Sequence, residues 1–76
     1  MNKLVLIKFG ENVKEQRLLL GLSQEGLGEK ADVHRTYIGM IERAEKNITL
    51  LNIDKIATAL GIPISKLFIY GTKTSK

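Results

Sequence analysis

Between Gln24 and Ile41 the chain carries two short helical stretches whose apolar residues need each other, and this pairing restricts the fold more than any other feature. Counting from Gln24, the positions that must hold the two stretches together are Leu27, Ala31, Val33, Ile38 and Ile41, and all five are apolar. Gly28 falls at the crossing point, where the helices come closest and only a small side chain fits. Ser23 is a suitable N-cap, so the first stretch reads as a helix from about Gln24 to Ala31. Asp32 stands in the tight turn, where a residue that tolerates a left-handed backbone is needed. The second stretch reads as a helix over about His34 to Arg43, with Ile38 and Ile41 on its inner face.

The flanking segments supply further helices. In "LVLIKFGENVKEQRLLL", Leu6, Phe9, Val13, Leu19 and Leu20 follow a helical rhythm that Gly21 ends, although "LVLIKF" alone also suits a strand. In "LLNIDKIATAL", Thr49 is the expected N-cap, Leu50, Ile53, Ile56, Ala57 and Leu60 form the stripe, and Gly61 is the stop. Pro63 suits the first position of a last short helix, "PISKLFIY". The expectation is an all-α, compact five-helix domain over residues 1–70, followed by a short polar tail over 71–76.

Composition excludes several functions. A chain of 76 residues buries only about 60% of its unfolded surface, which makes a dimer an expectation from size alone. There is no Cys and one His, so thiolate catalysis and a shared metal site are not expected, and no convergent carboxylates suggest an enzyme or a small-molecule substrate. No run of 18 apolar residues occurs, and "MNKLVLIKFGENVKE" meets charge and Gly too early for a membrane span or signal peptide. The expectation is a soluble cytoplasmic protein without a cofactor. The net charge of +4 lies mostly after Lys30 and favours a polyanionic partner.

Two short helices joined by a tight turn form the helix-turn-helix arrangement, whose second helix lies in the DNA major groove. At this point the chain resembles the lambda-repressor and Cro-type helix-turn-helix family, from "FGENVKEQRLLLGLSQ" through "HRTYIGMIER" to "NITLLNIDKIATALGIPISKLF". Within it, "RTYI..IER...N.TL" is most similar to the controller proteins of restriction-modification systems, which bind DNA as dimers and regulate their own operon. Phage-type repressors and antitoxin-like protein-binding modules of the same fold share much of this wording. Three residues depart from the family pattern. Asp32 replaces a usual Gly, and Ala44 replaces a usual Gly or Asn, at a cost on the order of 1 kcal/mol if its backbone is left-handed. Gly26 replaces a helix former, at roughly 0.5 to 1 kcal/mol.

Arg35 and Thr36 open the second helix on the side away from Ile38 and Ile41, where they can reach base edges. Tyr37 either covers the helix pair with its ring or also reaches a phosphate with its hydroxyl; His34 either touches the DNA backbone or caps the helix. Gly39 lies one turn after Arg35, where a missing side chain admits close approach to DNA or has no consequence, and Met40 meets a thymine methyl or solvent. Gln24, whose family equivalent bonds a phosphate, and Ser23 stand at a helix N-terminus that favours an anion. Arg43, Lys46 and Asn47 follow as phosphate contacts, Arg43 also reaching a base and Lys46 equally readable as a solvated charge.

The resemblance implies further that Arg17 and Glu42 form a partly buried ion pair, worth about 3 kcal/mol when one half is removed, with Arg17 shared between Glu42 and a phosphate. It also implies a homodimer through part of Ile62, Ile64, Leu67, Phe68, Ile69 and Tyr70, reading a pseudo-palindromic operator in double-stranded DNA.

Overall fold

The computed structural model describes residues 3–69, so Tyr70 and the tail at 71–76 lie outside the described residues. Four α-helices follow in order: α1 (Leu4–Leu19), α2 (Gln24–Ala31), α3 (Arg35–Glu42) and α4 (Leu50–Leu60). A terminal 3-10 helix (Ile64–Phe68) completes the fold, where a fifth α-helix was expected. Pro63 is its N-cap, and five residues are too few to repay α-helix nucleation, whereas a short 3-10 turn needs no such length. No strand occurs among the described residues, and "LVLIKF" is helical.

The helices begin where side chains satisfy their first amides. Ser23 Oγ accepts the Gly26 N–H at 2.9 Å, and Thr49 Oγ1 accepts the Asn52 N–H at 3.1 Å. All four end alike. A left-handed residue follows each helix, Gly21 (φ 70°), Asp32 (φ 61°), Ala44 (φ 60°) and Gly61 (φ 73°). The next amide then bonds a carbonyl five residues back: Leu22 to Arg17, Val33 to Gly28, Glu45 to Met40 and Ile62 to Ala57. At Ala44 this ending carries the Cβ strain that glycine avoids. Ala44→Gly is expected to raise stability by about 1 kcal/mol or somewhat less, the relief of strain being partly offset by the looser unfolded chain. Urea unfolding with a higher midpoint and unchanged slope is the check.

The core comprises Phe9 and Val13 of α1, Leu27 and Ala31 of α2, Ile38 and Ile41 of α3, the α4 face Ile53, Ile56, Ala57 and Leu60, and Leu67. α2 packs on α3 and α4, and α1 packs on α3 and the 3-10 helix. Two expected stripes differ in detail. On α1 the buried line continues from Phe9 and Val13 to Arg17, a four-residue spacing, which turns Leu19 outward at 71% exposure and Leu20 with it. On α4 the packed face starts at Ile53, and Leu50, in the first turn, is 74% exposed. Asn12 Nδ2 donates to the carbonyls of Leu67 (2.9 Å) and Ile69 (2.8 Å), which ties the end of the fold to the middle of α1.

Leu67 was expected at a dimer surface and is instead wholly buried, because the 3-10 helix turns it between α1 and α4. Ile62 and Ile64 are half-buried against the core. Phe68 and Ile69 remain exposed, with the Phe68 ring 5.1 Å from that of Phe9.

Candidate nucleic-acid interface

The candidate surface is built outward from α3. Ile38 and Ile41 are buried, which fixes the rotation of this two-turn helix and leaves the Arg35 and Thr36 side chains in solvent at its first turn. Gly28 sets how close the helices come: a Cβ there would stand 2.6 Å from the Val33 carbonyl oxygen and 3.2 Å from the Arg35 nitrogen. His34 precedes α3 as its N-cap, its Nδ1 accepting the Thr36 N–H at 3.0 Å, which is the capping alternative. Arg35 Nη1 lies 3.3 Å from Glu25 Oε1 across the helix pair, both side chains more than half exposed.

Tyr37 takes the first of its expected roles, covering the helix pair. Its ring packs against the core, and its hydroxyl accepts a hydrogen bond from Asn52 Nδ2 at 3.0 Å. Met40 is half-buried. Gly39 corrects the expectation of a bare outer position, since it is buried beneath two flexible side chains. A Cβ there would come 3.1 Å from Arg43 Nη1 and 3.3 Å from Gln24 Oε1. What glycine provides here is a seat for these two polar groups.

Beneath that surface lies a charged brace. Arg17 Nε and Nη2 donate to Glu42 Oε2 (2.7 Å) and Oε1 (3.0 Å), and Gln24 Nε2 donates to Glu42 Oε1 at 3.1 Å. Arg17 Nη1 donates to the Leu22 carbonyl at 2.8 Å. One carboxylate thus joins α1, α2 and α3. The hydrogen bonds that Arg17 donates to Glu42 hold the guanidinium pKa above its ordinary value despite the opposing effect of burial. All three Arg17 nitrogens donate inside the protein and only 9% of the side chain is exposed, so little of the guanidinium is offered to a phosphate. The half-buried Gln24 is likewise engaged by Glu42 through Nε2, while its Oε1 lies over Gly39.

At the far end of α3, Arg43 Nε donates to Glu45 Oε2 at 3.0 Å. That bond raises the Arg43 guanidinium above its ordinary value and draws the Glu45 carboxyl below the usual carboxylate range. Lys46 and Asn47 are exposed on the connector that follows, as is the capping Ser23 before α2. The exposed cations Arg35, Arg43 and Lys46 therefore lie along α3 and its exit.

Sequence reasoning passed over Gly10, Asn12, Glu25, Glu45 and Asn52. Gly10 abuts the Ile41 and Glu42 carbonyls, a contact between segments 31 residues apart that no local spacing announces. Glu25 and Glu45 had a legible signal, an acid beside each region where a DNA-facing arginine was expected. Among the described residues no group of three or more His, Cys, Asp and Glu stands ready to hold a metal, and no helix is long and apolar enough to cross a membrane.

Known proteins are similar in sequence and in fold. The helix-turn-helix family HTH_3 matches residues 13–67. The control protein C.BamHI of Bacillus amyloliquefaciens is 41% identical over 73 residues, covering 95% of this chain and 90% of that protein. The control protein C.SmaI of Serratia marcescens is 47% identical over 57 residues, 75% of this chain and 68% of that one. Among solved structures, the restriction-modification controller protein C.AhdI of Aeromonas hydrophila superposes with a TM-score of 0.81 at 46% identity, covering 83% of this chain and 96% of that one.

Proposed function

This chain belongs to the HTH_3 helix-turn-helix family, and from that premise we propose that it is a sequence-specific DNA-binding transcription regulator, a dimeric controller protein of a restriction-modification operon. The observation that carries the reading is the outward first turn of α3. Arg35 and Thr36 are exposed on a helix whose rotation is locked by Ile38 and Ile41. The role needs no catalytic step or cofactor, and work on an operator implies the cytoplasm.

Arg35 and Thr36 supply base choice, Arg35 by donating twice to guanine O6 and N7. Tyr37, Arg43, Lys46, Asn47 and Ser23 supply phosphate contacts, with Gln24 joining them by leaving Glu42. Met40 is placed to meet a thymine methyl, and His34 and Gly39 shape the surface from beneath. Two copies associate through Phe68 and Ile69, with Ile62 and Ile64 behind them and Tyr70 adjoining in sequence, and set two α3 helices about 34 Å apart on a pseudo-palindromic operator.

Gel shifts on a duplex retained from a randomised pool, with a mixed-sequence duplex beside it, test the assignment. Arg35→Ala is expected to erode discrimination between the two duplexes roughly 5- to 100-fold. Lys46→Ala weakens both alike and lowers the slope of log affinity against log salt by about one. Equal losses on both duplexes for Arg35→Ala would remove its readout role. Light scattering showing a monomer at every concentration would remove the dimer.

A further inference from the structure

Tyr37 joins α3 to α4 through one hydrogen bond, and the direction of that bond has a consequence for DNA. Asn52 Nδ2 donates to the Tyr37 hydroxyl at 3.0 Å in a partly buried position, between residues 15 apart in the chain. The donor is well anchored. Asn52 occupies the first turn of α4, and its own N–H is taken by the Thr49 cap at 3.1 Å. A phenol has one hydrogen to give and an oxygen that accepts. With the oxygen engaged by an amide, the hydrogen is left for an acceptor elsewhere, and a hydroxyl that accepts one bond donates the next more strongly. Among the described residues nothing takes that hydrogen. Tyr37 directly follows the exposed pair Arg35 and Thr36, on the side of the fold assigned above to DNA.

We propose that Asn52 is a positioning residue for DNA recognition: by donating to the Tyr37 hydroxyl it fixes that hydroxyl as a donor to a DNA phosphate. The inference rests on the DNA-binding reading above and adds to it a residue that itself touches no nucleic acid.

The test uses the full chain with Tyr37→Phe, Asn52→Ala, Asn52→Asp and the two corresponding double variants. Affinity is measured for a duplex retained from a randomised pool, and stability by urea unfolding. Asp has the shape of Asn but only accepts, so it draws the phenol hydrogen inward; at the third position of a helix its charge favours the fold. Asn52→Asp is therefore expected to leave stability unchanged or raised while lowering affinity more than Asn52→Ala does. Asn52→Ala and Tyr37→Phe should each weaken binding about three- to tenfold. With Tyr37→Phe already present, Asn52→Ala should add no further loss, and Asn52→Asp should retain only its charge repulsion.

An Asn52→Ala variant that binds like the parent overturns the proposal. So does a loss of the same size with and without the Tyr37 hydroxyl, or one that follows a loss of stability. A parent chain that retains no duplex from the pool brings down the DNA-binding reading itself. A parent that binds while Tyr37→Phe binds equally well brings down only the positioning role.

Discussion

Truncating Glu42 to Ala is expected to lower the unfolding free energy by about 3 kcal/mol or more. The carboxylate accepts from Arg17 Nε and Nη2 and from Gln24 Nε2, and only 4% of its side chain is exposed. Removing it leaves the Arg17 guanidinium enclosed without its counter-charge, and the desolvation that the pair had offset becomes uncompensated. In a domain of this size each kcal/mol corresponds to roughly 4–8 °C in Tm, so the variant should melt more than about 12 °C lower. Replacing both partners, Arg17→Met with Glu42→Leu, should cost less than the single truncation, because no charge is then stranded. Thermal and urea unfolding of the three chains decide the point. A loss under about 1 kcal/mol for Glu42→Ala would class the pair with solvent-screened surface bridges.

The second large effect comes from adding one methyl group. Gly10→Ala is expected to destabilise by about 1–3 kcal/mol, although alanine in a helix interior ordinarily gains up to about 1 kcal/mol over glycine. The sign reverses because of what the methyl would meet. Its Cβ runs into the Ile41 carbonyl oxygen, with the Glu42 carbonyl oxygen 3.0 Å away. Both are backbone atoms at the end of α3, so relief requires moving one helix off the other, and that movement pulls on the Arg17–Glu42 bonds beside it. Gly26→Ala is the control: its Cβ would meet side-chain atoms, Ser23 Oγ at 3.3 Å and Leu22 Cδ2 at 3.5 Å, which can shift. Urea midpoints that rise for Gly10→Ala would show that the helices tolerate a wider crossing.

The Arg17–Glu42 pair was expected through the family resemblance and is present, whereas the Gly10 contact marks the limit of what could be read from residue order. Caps and stops are local, so Ser23, Thr49, Gly21 and Gly61 announce the helix ends, and α2 has the bounds its capping chemistry suggests. The α2–α3 pair was legible for the same reason, with five apolar positions at fixed offsets within twenty residues. Where a helix meets the rest of the fold is not local. Leu19 and Leu20 fit a helical rhythm as well as Arg17 does, and it is the buried line through Phe9 and Val13, met by Glu42 25 residues on, that turns Arg17 inward. Leu67 reads as surplus apolar surface until α1 and α4 close over it. Of the interface, the outward residues Arg35 and Thr36 followed from the inward Ile38 and Ile41. Glu25 beside Arg35 and Glu45 beside Arg43 left a signal in the residue order, whereas the Asn52 contact on Tyr37 depends on side-chain reach between helices.

The clasp that Asn12 makes on Leu67 and Ile69 has a mechanical meaning for an assembly of two copies. Half a turn before it on the same helix, Gly10 abuts the end of α3. Both the apolar edge at Phe68 and Ile69 and the helix that bears Arg35 are thus registered against one rod, α1, without an intervening flexible joint. If two subunits join at that edge as proposed, any shift of the edge is passed through α1 to α3, so the half-site spacing they can span depends on how firmly this one helix is packed.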